Sequence, residues 1–143
     1  MELKSIKLDD GKSYVQVFER VRAFRKLHPA WTIETAILSN GNGVVTMVAA
    51  VKDEAGRTLA TGHAFEKQDS TLVNQTSYVE NCETSAVGRA LAMLGIGIES
   101  AIASAEEVTN AQANQPQGAE AQPTAAEGQP QSTLDTVLAR KEK

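Results

Sequence analysis

The chain has 143 residues, with 14 Lys or Arg against 18 Asp or Glu and a net charge of −4, which argues against a protein that coats nucleic acid through bulk positive charge. One cysteine, Cys82, rules out a disulfide framework, and no run of 18 apolar residues is present to span a bilayer. Met1 to Asp10 is too polar for a secretory signal, so the chain reads as a cytoplasmic protein.

The acidity is uneven. Through Lys67 the chain carries ten Lys or Arg and eight Asp or Glu, a local net charge of +2. Met1 to Gly11 alternates Leu3, Ile6 and Leu8 with charges, as a short strand or a pairing arm would. From Lys12 the pattern becomes helical, with Tyr14, Val17, Phe18, Val21, Phe24 and Leu27 on one face. Ser13 with Gln16 predicts a capping box, and His28-Pro29 ends the helix. Arg20, Arg22, Arg25 and Lys26 are expected on its exposed side, as a solvated face or as a phosphate track.

Trp31 to Leu38 reads as a strand with Trp31, Ile33 and Ile37 on one side. Asn40-Gly41-Asn42-Gly43 is a hairpin signal, because Asn and Gly accept the positive φ of tight hairpin turns. Gly43 to Lys52 is continuously apolar and predicts a central strand covered on both faces. After the turn Asp53-Glu54-Ala55-Gly56, Arg57 to Glu66 alternates as a third strand, in which Gly62 marks a bulge or a close backbone approach. His63 has two readings, an ordinary hydrogen-bonded strand residue or a contact to nucleic acid.

Thr76 to Gly97 is the segment that organises the rest. Val79, Cys82, Ala86, Val87, Ala90, Leu91, Met93 and Leu94 predict a broad buried helical face. Ser77 with Glu80 reads as a capping box, and Gly95 and Gly97 close the helix. Ser85, Ala86, Gly88, Ala90 and Ala92 leave little side chain on its surface, so a sheet or an extended ligand comes close. Cys82 on the apolar face reads as a small buried hydrophobe.

Glu99 to Val108 is expected as a short helix. The domain reading is a core over 1–108, a disordered linker rich in Gln, Ala and Pro over 109–131, and a short amphipathic peptide over 132–143. That peptide, with Leu134, Val137 and Leu138 at helical spacing, is a partner-docking motif or a frayed end; the pattern leaves both open. The fold class is α+β: helix, three-stranded antiparallel β-meander, helix, then a disordered C-terminal tail.

No constellation for turnover emerges. Gly41-Asn42-Gly43 sits in a hairpin and lacks the Lys-Ser/Thr of a phosphate loop, and His28, His63 and Cys82 lack ligand spacing for a metal. Glu80 and Glu83, one helical turn apart, read as a solvated pair. The chain is expected to bind and assemble, not to catalyse, with no cofactor and no metal.

With these elements in view, the strand pair GVVTMVAAVKDEAGRTLATGHAFE followed by ENCETSAVGRALAMLGIG resembles the phage single-strand annealing proteins of the Erf and Sak kind. Those share a core of sheet plus helix with the eukaryotic ring-forming annealing protein of double-strand break repair. The block Glu83 to Leu91, with its Arg-Ala-Leu step, looks like the family's second-helix signature. The resemblance implies a homo-oligomeric ring or filament in a bacterial host cell that anneals single-stranded DNA without ATP. It places Arg89 on a backbone phosphate, with Lys52, Arg57 and Lys67 along the meander and Arg22, Arg25 and Lys26 on the first helix as further contacts, to which the second reading of His63 adds that strand residue. For the tail peptide, read as a docking motif, a host or phage replication or recombination protein is the expected partner. The alternatives are a single-strand-binding protein of the OB-fold kind, which needs more strands and more stacking aromatics than are present, and an oligomeric adaptor without a DNA function.

Overall fold

The computed structural model describes residues 2–115. The chain after Gln115, including the rest of the expected linker and the peptide over 132–143, lies outside the described residues. The fold is mixed α+β. β1 (Ser5–Lys7) and β2 (Ser13–Val15) form an antiparallel hairpin, followed by α1 (Val17–Leu27). Then come β3 (Thr32–Gly41), β4 (Val44–Lys52) and β5 (Thr58–Lys67), an antiparallel meander with β4 central, and α2 (Asn74–Met93) and α3 (Ala105–Ala113).

The hairpin signal is realised at residue level. Asn42 (φ 54°) and Gly43 (φ 73°) are the two turn residues between the paired Gly41 and Val44, the two-residue turn whose twist suits the flanking strands. A register shift between Ile37 and Ser39 marks a bulge in β3, and a second lies at the Val51 to Lys52 end of β4.

One face of the sheet is covered and the other is open, which corrects the expectation for β4. Val45, Met47, Ala49 and Val51 are buried under α2, while Val44, Thr46, Val48, Ala50 and Lys52 between them are only partly shielded. The continuous apolar run suggested two covered faces, but its alternate residues include Thr46, the small Ala50 and the stem of Lys52. Such a face tolerates water.

The small residues of α2 explain its closeness to the sheet. A Cβ on Gly62 would sit 2.3 Å from Ala90 N and 2.5 Å from Ala86 O, so the helix backbone rests on β5. On another side of the same helix, a Cβ on Gly88 would sit 2.6 Å from Val17 Cγ2, where α1 begins. Both glycines therefore serve packing. Phe24, Leu91, Cys82, Ala86 and Ala90 are fully buried in the core between the layers, each large apolar side chain contributing roughly 1.5–3 kcal/mol.

Several local expectations shift. Ser13 is in β2, and the N-cap of α1 is Gln16 without a side-chain hydrogen bond, so the first capping box is absent. Helical turns before Ser77 carry α2 back to Asn74; Ser77 itself (φ −135°, ψ 23°) is a kink inside the helix. The third helix begins at Ala105, not Glu99, where Ser104 and Glu107 form a full capping box, and it runs past Val108 to Ala113.

Arg20 is the largest departure. Expected on the exposed side of α1, it is fully buried, and its guanidinium donates to Gly88 O (3.0 Å), Gly97 O (3.2 Å) and Ala101 O (3.1 Å). It ties α1 to α2 and to the loop after α2. Burial lowers its pKa, offset in part by Glu107, Glu106 and Glu99.

Candidate functional site

The eight sequence-predicted contacts are not gathered on one surface. Arg89 donates to Glu107 Oε1 at 3.1 Å, and the other oxygen of Glu107 accepts from Ser104 N, so this pair fastens α3 to α2. Lys52 is 2.7 Å from Glu34 across the strand pair, and Arg57 is 3.4 Å from Asp53 in its own turn. Arg25 donates to Trp31 O and lies over the Phe24 ring, beside a stacked His28–Trp31 pair with ring centroids 3.7 Å apart. These four cations have local partners.

Two groupings remain. The first is a cleft between the N-terminal arm and α1, where Lys4, Arg22 and Lys26 line one wall system together with Glu2 and Glu19. Arg22 is largely exposed, holds Glu19 at 3.4 Å and lies over the Phe18 ring. Lys4 and Lys26 have no ion pair among the described residues. The helix supplies Arg22 and Lys26 one turn apart, and the arm brings Lys4 to them.

The second grouping is on the open face of the sheet. His63, Phe65 and Lys67 occupy alternate positions of β5, paired with Val48, Thr46 and Val44, so all three project to the uncovered side. Phe65 is 56% exposed. Lys67 has no ion pair among the described residues, and beside it the β3–β4 turn meets the start of α2. There Gln68 N donates to Gly43 O, Gln68 Nε2 to Gln75 O and Tyr78 Oη to Asn40 Oδ1. Asn42, Lys67, Gln68 and Gln75 line a shallow cleft at this end.

Sequence reasoning missed Lys4 and Phe65. The strand alternation that placed His63 and Phe65 on one side was legible, but not that this side stays uncovered. Lys4 carries no local signal, because its approach to α1 is a tertiary event. Among the described residues no group of three His, Cys, Asp or Glu is placed to hold a metal ion. No helix among them is long and apolar enough to cross a membrane. Cys82 is buried, its thiol directed at Ala64 O and Val45 O, and burial pushes its pKa up to about 11.

A protein-family model described as Slr1353 N-terminal dsRNA-binding domain-like matches residues 21–94, from within α1 to the end of α2. The match spans more than half of the chain, and the chain belongs to that family. None of the curated proteins and none of the solved structures matches. The family match overturns the resemblance to the Erf and Sak annealing proteins. The block Glu83 to Leu91 that carried it lies inside the matched range, and its small residues are accounted for by contact with Gly62 and Val17. What survives is coarser: the family's description points to the binding of nucleic acid as a class, not to single-strand annealing.

Proposed function

We propose that this chain binds nucleic acid and that its ligand is double-stranded RNA, held by the sugar–phosphate backbone. The observation that carries the reading is the cleft where Lys4, Arg22 and Lys26 converge, inside and beside the segment that matches a dsRNA-binding domain-like family. Recognition of A-form duplexes rests on shape, phosphates and 2′-hydroxyl groups, and needs no stacking platform. The amide-rich end formed by Asn42, Gln68 and Gln75 beside Lys67 offers donors and acceptors of the kind that 2′-hydroxyls take. Self-association through the edge of β3, where Ile37 and Leu38 are more than half exposed, would multiply such weak contacts.

A second reading has its own observation. The row His63, Phe65 and Lys67 on the open sheet suits a single strand with a base stacked on Phe65. Binding of a 20-base-pair RNA duplex, the matching DNA duplex and a single strand at low salt separates the two. Preference for the RNA duplex, lost in the Arg22→Ala/Lys26→Ala protein and kept in Phe65→Ala, supports the first. Preference for the single strand, lost in Phe65→Ala, replaces it with the second, and no binding to any of the three rejects both.

A further inference from the structure

β5 is an edge strand, and its outer edge from Thr61 to Glu66 takes no strand partner among the described residues. That edge is the floor of a groove of about 490 Å³. One wall is the α2 stripe Ser85, Arg89 and Met93, at four-residue spacing; the other is α3, with Glu107, Asn110 and Asn114. α3 is fastened by Glu107 to Arg89 and by Glu106 to the backbone N–H of Val17, and the space between it and the strand edge stays open. An unpaired strand edge is a row of donors and acceptors that an extended peptide can continue.

Charge in the groove is unbalanced at one end. Arg89 and Glu107 answer each other at 3.1 Å. Glu66, 1% exposed, has no ion pair among the described residues. Its Oε1 accepts from Lys67 N and from Asn114 Nδ2, both at 3.3 Å. Charge-assisted bonds to a carboxylate are shorter, roughly 2.7–2.9 Å, so neither contact replaces a cation. Ser85 Oγ, in a residue 4% exposed, and Asn114 Oδ1 are buried without a hydrogen-bond partner among the described residues. The unmet groups of the lining are thus a carboxylate, a hydroxyl and an amide oxygen, all of which accept hydrogen bonds. A lysine ammonium, with three donors and no acceptor, is their complement. An arginine fork needs two open oxygens, and Glu66 Oε1 is already engaged twice.

We propose that this groove binds an extended segment of another protein, added to β5 as a fourth strand, with a lysine of that segment seated against Glu66. Strand alternation assigns the two faces of the added segment. Gly62, Ala64 and Glu66 pair with the buried Ala49, Met47 and Val45, so they lie on the face toward α2, and the lysine points to that side. His63 and Phe65 lie on the open face, where the residues flanking the lysine meet them; Phe65 is 56% exposed. The segment is therefore a lysine between two β-branched or apolar residues. Its register is set by charge as well. A Cβ on Gly62 would sit 2.8 Å from Arg89 Cβ, so the arginine stands over that end of the floor and turns a cation toward the Glu66 end. The groove is separate from the cleft of Lys4, Arg22 and Lys26, and the proposal does not rest on the nucleic-acid reading.

The test is calorimetric titration of the full-length chain with a blocked peptide, acetyl-Thr-Ser-Val-Lys-Val-Ser-Thr-amide. Two control peptides leave the protein untouched: one has norleucine in place of the lysine, and the other has the lysine moved by one position, which turns it to the open face. Both are expected to bind about tenfold more weakly or worse, the loss that follows from removing a hydrogen-bonded charge. In Glu66→Gln the lysine and norleucine peptides should bind alike. Amides in Thr61–Glu66 should exchange more slowly in the lysine-peptide complex, while those of α1 stay unchanged. The peptide controls decide the matter by themselves if Glu66→Gln fails to fold. Equal affinity of the wild type for the lysine and norleucine peptides overturns the proposal, as does no binding at about 1 mM peptide. So does a dimer mass by light scattering that falls as peptide is added, because the groove's occupant is then a second copy.

Discussion

Arg20 shows how a charged residue can be read wrongly from its helical neighbours. It shares a short helix with Arg22, Arg25 and Lys26, and sequence spacing gives no reason to separate it from them. Its three carbonyl acceptors come from Gly88, Gly97 and Ala101, far along the chain, and only the fold brings them together. The planar guanidinium satisfies them as a fork, which a lysine ammonium does not reproduce. Arg20→Met fills similar volume but strands those carbonyls, and a loss of about 3 kcal/mol is expected. Urea unfolding checks it, and a midpoint equal to that of the wild type would remove Arg20 from the framework. Gly62, by contrast, was legible in kind: a glycine in a strand announced a close approach, and the approach is the backbone of α2.

The secondary elements were read best where the signal is local. The Asn-Gly turn, the three strands and most of the apolar face of α2 follow from turn chemistry and periodicity and lie where those rules place them. Met93, however, expected on that face, is 60% exposed, and the second face of β4 is open. Caps fared worse. Ser13 had the right partner spacing for a cap but was taken into the β1–β2 hairpin, whose turn has its own clasp: Tyr14 Oη donates to Asp10 Oδ2 at 2.6 Å, and Lys12 N to Asp10 Oδ1. The tyrosine bond, followed by that backbone N–H, holds the Asp10 carboxyl below its usual 3.8, and the same contact raises Tyr14 above 10.0. A depressed carboxyl stabilises the fold above its unfolded value and loses that contribution as pH falls through the folded one. A raised phenol contributes below its unfolded value and loses it as pH rises through the folded one. Stability measured between pH 5 and 2 should therefore fall less steeply in Tyr14→Phe than in the wild type. Matching slopes would show that the clasp does not act on folding.

For the molecule as a whole, composition and fold pull in different directions. The family places it among dsRNA-binding domain-like chains, yet four of its eight expected contacts are engaged by Glu107, Glu34, Asp53 and the Trp31 carbonyl. These pairings are non-local or depend on side-chain direction, which is why charge counting along the sequence could not find them. Exposed pairs are worth only about 0–1 kcal/mol, so they give way to a phosphate at small cost, but they also return little net attraction. The cleft of Lys4, Arg22 and Lys26 is left as the main cation grouping on the helical layer, with Arg22 held by Glu19 and with Glu2 also in the lining. A ligand held there engages roughly three phosphates. The logarithm of affinity for duplex RNA should then fall against the logarithm of salt with a slope of about −2 to −3, and Arg22→Ala should make it shallower by about 1. A slope near −6 or steeper would require cations beyond this cleft, and an Arg22→Ala slope equal to that of the wild type would take the duplex off this face of α1.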